Sequence, residues 1–255
     1  PPPSPPLATL RGSPRYELAH TMPGHTQSIS AGKFSPDGTL LASPGGELMK
    51  FWSPHTGQLV RNSTRHLKGL SDIAWSSNSV FLASAPDDTT IRIWTVDTAH
   101  PISSPRSNTK ISYAFCVNYN STPHKLLSSC CDGDTKIWDI TKRKCPKTLH
   151  AHLYYVTTVR SNRDTGPIIS SGGKCTFDSR IRNSATEQYP KTLAESHNAI
   201  CQYVQFSPNS KYILSTAHDH AARLWDYQTS RCLKTYTGRQ NSESCAAPCF
   251  GVTGG

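Results

Sequence analysis

Charged residues are few: Asp, Glu, Lys and Arg make up 17% of the 255 residues, against about a quarter in an ordinary soluble chain. Apolar runs are short as well. The longest obvious one, residues 80–85, falls far below the roughly 20 residues that a helix needs to cross a bilayer, so a membrane-spanning helix is excluded. None of the nine cysteines falls in a Cys-x-x-Cys spacing; Cys130 and Cys131 are adjacent, and Cys245 and Cys249 lie four apart. A zinc site therefore has no support. The sequence opens without a charged-then-apolar leader, so free thiols in a reducing compartment are the simplest reading. The Asn-Ser-Thr triplets at Asn62 and Asn120 read as chance matches. A nucleophile elbow, a phosphate loop and a pair of catalytic carboxylates are all missing, which names no catalytic residue and argues against an enzyme.

What the chain has in excess is positive charge, formally +10. Its 27 Lys and Arg are scattered in ones and twos, the densest group being Lys142, Arg143 and Lys144, and this spread does not favour direct nucleic-acid binding. His218, Asp219 and His220 are consecutive, but side chains in a turn need not converge, so neither a metal nor another cofactor is expected. Residues 1–15 hold six prolines and little that could pack, and are expected to stay extended or disordered.

From residue 16 onward the sequence repeats. Trp52, Trp94 and Trp138 each end a short alternating apolar run and stand 42 and 44 residues apart; Trp225 follows after 87, two further units, with Arg182 halfway where a Trp is expected. His25, His66, His152 and His197 open four of the five units. Within a unit an aromatic (Phe34, Trp75, Tyr119, Phe206) precedes a polar turn, and the turn precedes an apolar run ending in small residues such as LLAS or YILST. Short apolar runs with turn residues every 8 to 12 positions describe strands, about four to each unit.

This period, with Gly24-His25 opening and Trp138-Asp139 and Trp225-Asp226 closing units, resembles the WD40 repeat. The resemblance implies an all-β fold: a WD40 β-propeller with five recognisable four-stranded blades plus a partial sixth, incomplete relative to a seven-bladed ring. The repeats fall near 20–62, 63–103, 104–148, 149–193 and 194–236, with the partial unit at 237–255. It also implies a polar network inside each blade, in which an Asp six residues before the Trp (Asp88, Asp132, Asp219) bonds the opening His, and a hydroxyl joins the His to the Trp. His25, His66, His197, Trp94, Trp138 and Trp225 complete that set. The first unit departs with Gly46 at the Asp position, and the fourth departs at both Asp and Trp. Residues 17–22 are expected as the N-terminal strand that completes the last blade.

The segments GHTQSISAGKFSPDGTLLAS, GLSDIAWSSNS, FSPNSKYIL and LWDYQTSRCLKTYTG are similar to the WD-repeat scaffold subunits of COMPASS and MLL-type histone H3 methyltransferase complexes. That resemblance implies a nuclear, non-catalytic scaffold whose partners are methyltransferase catalytic and accessory subunits and the histone H3 tail. It further implies a central pocket that takes an arginine between two aromatic rings. Phe115 is the first ring, the walls are Ser30, Ser71, Asp87, Thr157 and Cys245, and the second ring falls on Ala247, so one side is lost. A second cleft for an acidic, apolar partner segment is implied at Asn209, Tyr212, Leu224, Lys234, Phe250 and Val252. The alternative is a WD-repeat adaptor of another assembly that has lost the arginine pocket.

Overall fold

A computed structural model describes residues 17–46, 48–63, 69–86, 90–103, 114–120, 124–150, 152–162, 167–172, 179–183, 191–193, 199–237 and 250. They form five four-stranded antiparallel sheets, each a simple meander. The first holds β1 (Lys33–Phe34), β2 (Leu41–Gly45), β3 (Leu48–Trp52) and β4 (Leu59–Asn62). The second holds β5 (Leu70–Trp75), β6 (Phe81–Pro86), β7 (Arg92–Thr95) and β8 (Pro101–Ser103); the third, β9 (Ala114–Tyr119), β10 (Lys125–Cys130), β11 (Asp134–Asp139) and β12 (Lys144–His150). The fourth is β13 (Val156–Ser161), β14 (Pro167–Gly172), β15 (Ser179–Asn183) and β16 (Lys191–Leu193); the fifth, β17 (Cys201–Phe206), β18 (Tyr212–Ala217), β19 (Ala222–Asp226) and β20 (Cys232–Tyr236). The first strands of successive sheets pack on one another in chain order, β1 on β5, β5 on β9, β9 on β13 and β13 on β17. The architecture is a partial β-propeller, as the repeats imply. Among the described residues there is no helix at all.

The same turn recurs between the first two strands. Ser35, Ser76 and Ser207 each donate a side-chain hydrogen bond to the residue two places on, Asp37 (2.6 Å), Asn78 (2.7 Å) and Asn209 (2.7 Å). Each hydroxyl also accepts a backbone N–H at 2.9 Å, from Leu40, Phe81 and Tyr212 respectively. Side chains that satisfy their own backbone in this way favour a tight turn over any regular element.

The tryptophans stand in one register. Leu41, Leu82, Leu126 and Ile213 pair across the ladder with Trp52, Trp94, Trp138 and Trp225, and Ile168 pairs with Arg182 in the same place. Each indole N–H donates to a serine on the neighbouring strand: Trp52 to Ser43 (2.8 Å), Trp94 to Ser84 (2.9 Å), Trp138 to Ser128 (2.9 Å) and Trp225 to Ser215 (2.8 Å). All four serines are buried, so the ring contributes its apolar area without stranding its donor.

In the first blade Ser43 also meets His25 Nε2 at 2.7 Å. Burial, reinforced by the Lys50 charge, lowers the His25 pKa, so the neutral ring can accept the Ser43 hydroxyl. A side chain at Gly46 would run into Gln27, and its φ of 62° lies in the left-handed region, which accounts for glycine at the Asp position. Asp132 accepts from the Asp134 N–H (3.1 Å) and pairs with Lys136 (3.6 Å). Asp219 accepts from the Ala221 N–H (3.2 Å) and from Arg223 (2.6 Å). His66, Asp88 and His197 lie outside the described residues.

Residues 17–22 form no strand, contrary to expectation. A strand needs a ladder to join, and here the segment lies along the first blade instead, with His20 Nε2 bonded to the His55 carbonyl at 3.0 Å.

Ser128→Ala leaves the fully buried Trp138 N–H without its acceptor. It should lower stability by about 1–3 kcal/mol, read as a shift of the urea midpoint.

Candidate functional site

Four central strands break register at corresponding places. Leu70 pairs with Pro86 and Asp72 with Ala85, leaving Ser71 out of the ladder. Val156 and Thr158 likewise bracket Thr157, Cys201 and Tyr203 bracket Gln202, and Ala114 and Cys116 bracket Phe115. A bulge turns its extra residue out of the sheet, so one side chain from each of four successive blades emerges at the same end of the centre. In the first blade Ser30 stands at this place, its N–H bonded to the Pro44 carbonyl at 3.3 Å.

These residues divide by task. The Ser30 hydroxyl donates to the Leu70 carbonyl (2.5 Å) and that of Thr157 to the Cys201 carbonyl (2.8 Å), each bolting a blade to the next. Phe115 is different: it is 41% exposed, and its ring packs against Tyr155 with centroids 5.7 Å apart, tilted by 55°. A guanidinium sandwiched between two rings needs them roughly 7 Å apart, twice an ordinary contact distance, so no cation fits between this pair. Ile29, Leu153 and Tyr154 are further exposed large apolar residues, the first shortly before β1 and the other two shortly before β13.

Asp87, Cys245 and Ala247 lie outside the described residues. Gln202 and Tyr155 were not among the expected site residues. Gln202 could have been found, because Ser30, Ser71, Phe115, Thr157 and Gln202 each stand five places before the turn residues Ser35, Ser76, Asn120, Asn162 and Ser207. Tyr155 comes from the loop between blades, where the repeat carries no signal.

A charged layer continues from the rim. Lys33 of β1 meets Asp72 of β5 at 2.5 Å, and the other Asp72 oxygen accepts the Val117 N–H of β9 at 3.2 Å. Arg160 of β13 donates to Cys116 Sγ (3.6 Å) and to the Tyr203 hydroxyl of β17 (3.2 Å), its guanidinium 5.1 Å from the Tyr203 ring centroid. The Asn118 amide, oriented to donate to the Tyr119 carbonyl at 2.9 Å, accepts from Arg160 at 3.0 Å. Burial works to raise the Asp72 pKa, but the Lys33 and Arg160 charges outweigh it and hold the carboxyl below its ordinary value. The Cys116 thiol is pushed up, first by burial and then by Asp72. Lys33, Asp72, Cys116, Arg160 and Tyr203 thus carry polar links across all five blades.

The second expected cleft maps to the fifth sheet. Leu224 pairs with Lys234, so both face the same side, and Tyr212 pairs with Asp226 one strand in. Lys234 Nζ lies 5.0 Å over the Tyr236 ring on the exposed outer strand. The Asn209 amide oxygen is held in its turn by Ser207 and by the Lys211 N–H at 3.2 Å. Phe250 is half-buried and Val252 lies outside the described residues. Of the consecutive His218, Asp219 and His220, the first has its ring against the Gln202 amide and the second pairs with Arg223. Among the described residues no group of three His, Cys, Asp or Glu side chains could hold a metal ion.

Comparison with known proteins adds to this geometry. The WD domain, G-beta repeat family matches residues 16–53, 57–95, 107–139 and 188–226. Similar proteins include nuclear distribution protein PAC1 of Arthroderma benhamiae, 26% identical over 87% of this chain and 45% of its own length. COMPASS component SWD3 of Saccharomyces cerevisiae is 28% identical over 76% of this chain and 63% of its own, and the transcriptional corepressor LEUNIG_HOMOLOG of Arabidopsis thaliana 27% over 82% and 26%. The chain thus spans less than two thirds of the length of each of these relatives.

Asp72→Asn leaves Lys33 and Arg160 without their counter-charge, and should cost about 3 kcal/mol at neutral pH. Because the folded chain holds this carboxyl below its unfolded value of about 3.9, its stabilisation is complete above that pH and is lost as pH falls through the depressed value. Urea titrations at pH 7 and pH 3 should therefore show the gap between the parent chain and the variant narrowing in acid.

Proposed function

The chain belongs to the WD40 family, whose repeats serve protein–protein interaction, and we propose that it is a non-catalytic, peptide-holding scaffold of a COMPASS-like histone H3 lysine methyltransferase assembly in the nucleus. The observation that carries this reading is Phe115, an exposed aromatic held by a β-bulge at the mouth of the central strands. Aromatic side chains are costly to leave in water, and an arginine laid on this ring gains about 0.5–2 kcal/mol, more as water is excluded. The similarity to a COMPASS component supports the choice of assembly. The arginine would come from the histone H3 tail or from the catalytic subunit. On the fifth sheet, Lys234 beside Leu224, with Tyr212 one strand in, suits a segment of an accessory subunit that combines acidic and apolar residues.

A second reading, a WD-repeat adaptor of another assembly, is favoured by Ala247 at the second ring position and by relatives as different as a nuclear distribution protein and a transcriptional corepressor. A pull-down from nuclear extract, identified by mass spectrometry, separates the two: methyltransferase subunits are expected under the first reading, and their absence sinks it.

Titration with a labelled, Arg-containing H3 tail peptide should show weak binding. Ala247→Phe should strengthen it, and Phe115→Ala should remove about 2 kcal/mol, roughly 30-fold in dissociation constant. An unchanged constant in the Phe115 variant would place the peptide elsewhere. Lys234→Glu should weaken capture of an acidic accessory-subunit peptide by reversing the local charge, with the arginine peptide unaffected.

A further inference from the structure

The repeats provide an internal standard for the turn between the third and fourth strands of a blade. The fourth residue after the Trp is Thr56, Thr98 and Thr229 in the first, second and fifth blades, and the fifth is Gly57, Ala99 and Ser230. The threonines serve the turn: Thr229 Oγ1 donates to Asp226 at 3.0 Å, and Thr98 Oγ1 lies 2.7 Å from Thr95 Oγ1. Small residues suit the next place because the backbone there is left-handed, with φ of 69° at Gly57, 53° at Ala99 and 58° at Ser230. In the third blade these two places hold Lys142 and Arg143. The turn itself is kept, with the Lys142 N–H donated to Asp139 at 2.9 Å and φ of 52° at Arg143. One long cation has replaced the hydroxyl and another stands where glycine would be easiest, so the needs of the turn explain neither.

The third blade departs from the repeat beside this turn as well. The residue paired with the one after the Trp is a half-buried aromatic in the second and fifth blades, Phe81 and Tyr212, but an exposed Lys125 in the third. The Ile140 N–H donates to the His124 carbonyl at 2.9 Å, which holds Lys125 against the turn. On the other side of Asp139, β12 places Lys144 directly opposite it. Residues opposite one another on neighbouring strands project from one face, so Lys125, Asp139 and Lys144 form a row roughly 10 Å across, two strand spacings. Lys142 and Arg143 extend it at the turn. All four cations are exposed, and none makes an ion pair or a side-chain hydrogen bond with a described residue. Asp139, the carboxylate in the row, is already engaged by the Lys142 N–H.

We propose that this end of the third blade docks an acidic segment of a partner protein, a short run of Asp and Glu whose carboxylates meet Lys125, Lys142, Arg143 and Lys144. The inference rests on the third blade alone and holds whichever assembly the chain serves. Two observations favour a peptide over a nucleic acid. Residues 120–125 and 139–144, which make the two turns at this end of the blade, include no Phe, Tyr or Trp on which a base could stack. The corresponding turn of the second blade presents the exposed Asp97, so the positive surface ends there and a long polyanion would run on into a like charge.

Fluorescence anisotropy of a labelled oligoglutamate peptide, titrated with the full chain at low ionic strength, tests this. The parent chain should bind it, and added salt should weaken the complex as the screening length shortens. Lys142→Glu combined with Lys144→Glu reverses the patch while leaving Arg143 in its turn, and should weaken binding about tenfold. Lys211→Glu combined with Arg231→Glu makes the same change in net charge at the same end of the fifth blade, where both side chains are also exposed, and should leave the affinity close to that of the parent. Circular dichroism of both variants checks that the sheets persist; should the first unfold, Lys125→Gln combined with Lys142→Gln, which only neutralises the patch, replaces it. A parent chain that does not bind the peptide would overturn the inference, as would equal weakening by the two charge reversals, which would reduce the effect to net charge. A labelled oligothymidylate of the same length, run in parallel, should bind more weakly than the peptide. If it binds more tightly and loses affinity in the Lys142 and Lys144 variant, the patch belongs to nucleic acid and the inference fails.

Discussion

A four-stranded twisted sheet has two apolar faces, and in this protein no helix among the described residues covers either of them. Each blade is therefore stable only against another blade, and the rest of the structure follows from that stacking. The tryptophan carries much of the contact. It can do so because a buried serine one strand away takes its N–H, so that a large apolar ring enters the interface with no polar cost left over. Stacking face to face in chain order also brings the first strand of every sheet to the centre. Repetition of one local rule thereby places equivalent residues from distant parts of the chain side by side.

At the centre the rule changes from apolar to polar. Lys33, Asp72, Cys116, Arg160 and Tyr203 sit where neighbouring strands converge, and the charges of Lys33, Asp72 and Arg160 are tolerable there because each is paired or hydrogen-bonded across a blade boundary. At the rim, Ser30 and the bulge residue Thr157 are committed to the next blade's carbonyls. Phe115 has no such duty. Its ring stays 41% exposed and packs on Tyr155 from the loop before β13.

Much of this was legible in the amino-acid order. The tryptophan period, the Ser-x-Asp and Ser-x-Asn turns and the place of Arg182 in the fourth unit are local patterns, and the ladder puts Arg182 opposite Ile168 in the tryptophan's register. Gln202 was legible by its constant distance from the turn. Tyr155, which packs on Phe115, was not, since it comes from a loop where the repeat imposes no spacing. Asn209 shows the opposite difficulty: its residue type suggests a binding role, while the turn already uses its amide oxygen.

What the sequence by itself determined is the blade: strand order, turn chemistry and which side chains point into a face, because these depend on residues within a few positions or one hairpin of each other. What only the tertiary structure decided is how blades meet. The pairing of Lys33 with Asp72, 39 residues away, and of Arg160 with Tyr203, 43 away, depends on strands that become neighbours only through stacking. The same is true of Phe34. Its position in the repeat is that of the buried Trp75, Tyr119 and Phe206, yet it is 63% exposed, a difference that no stretch of sequence around it records.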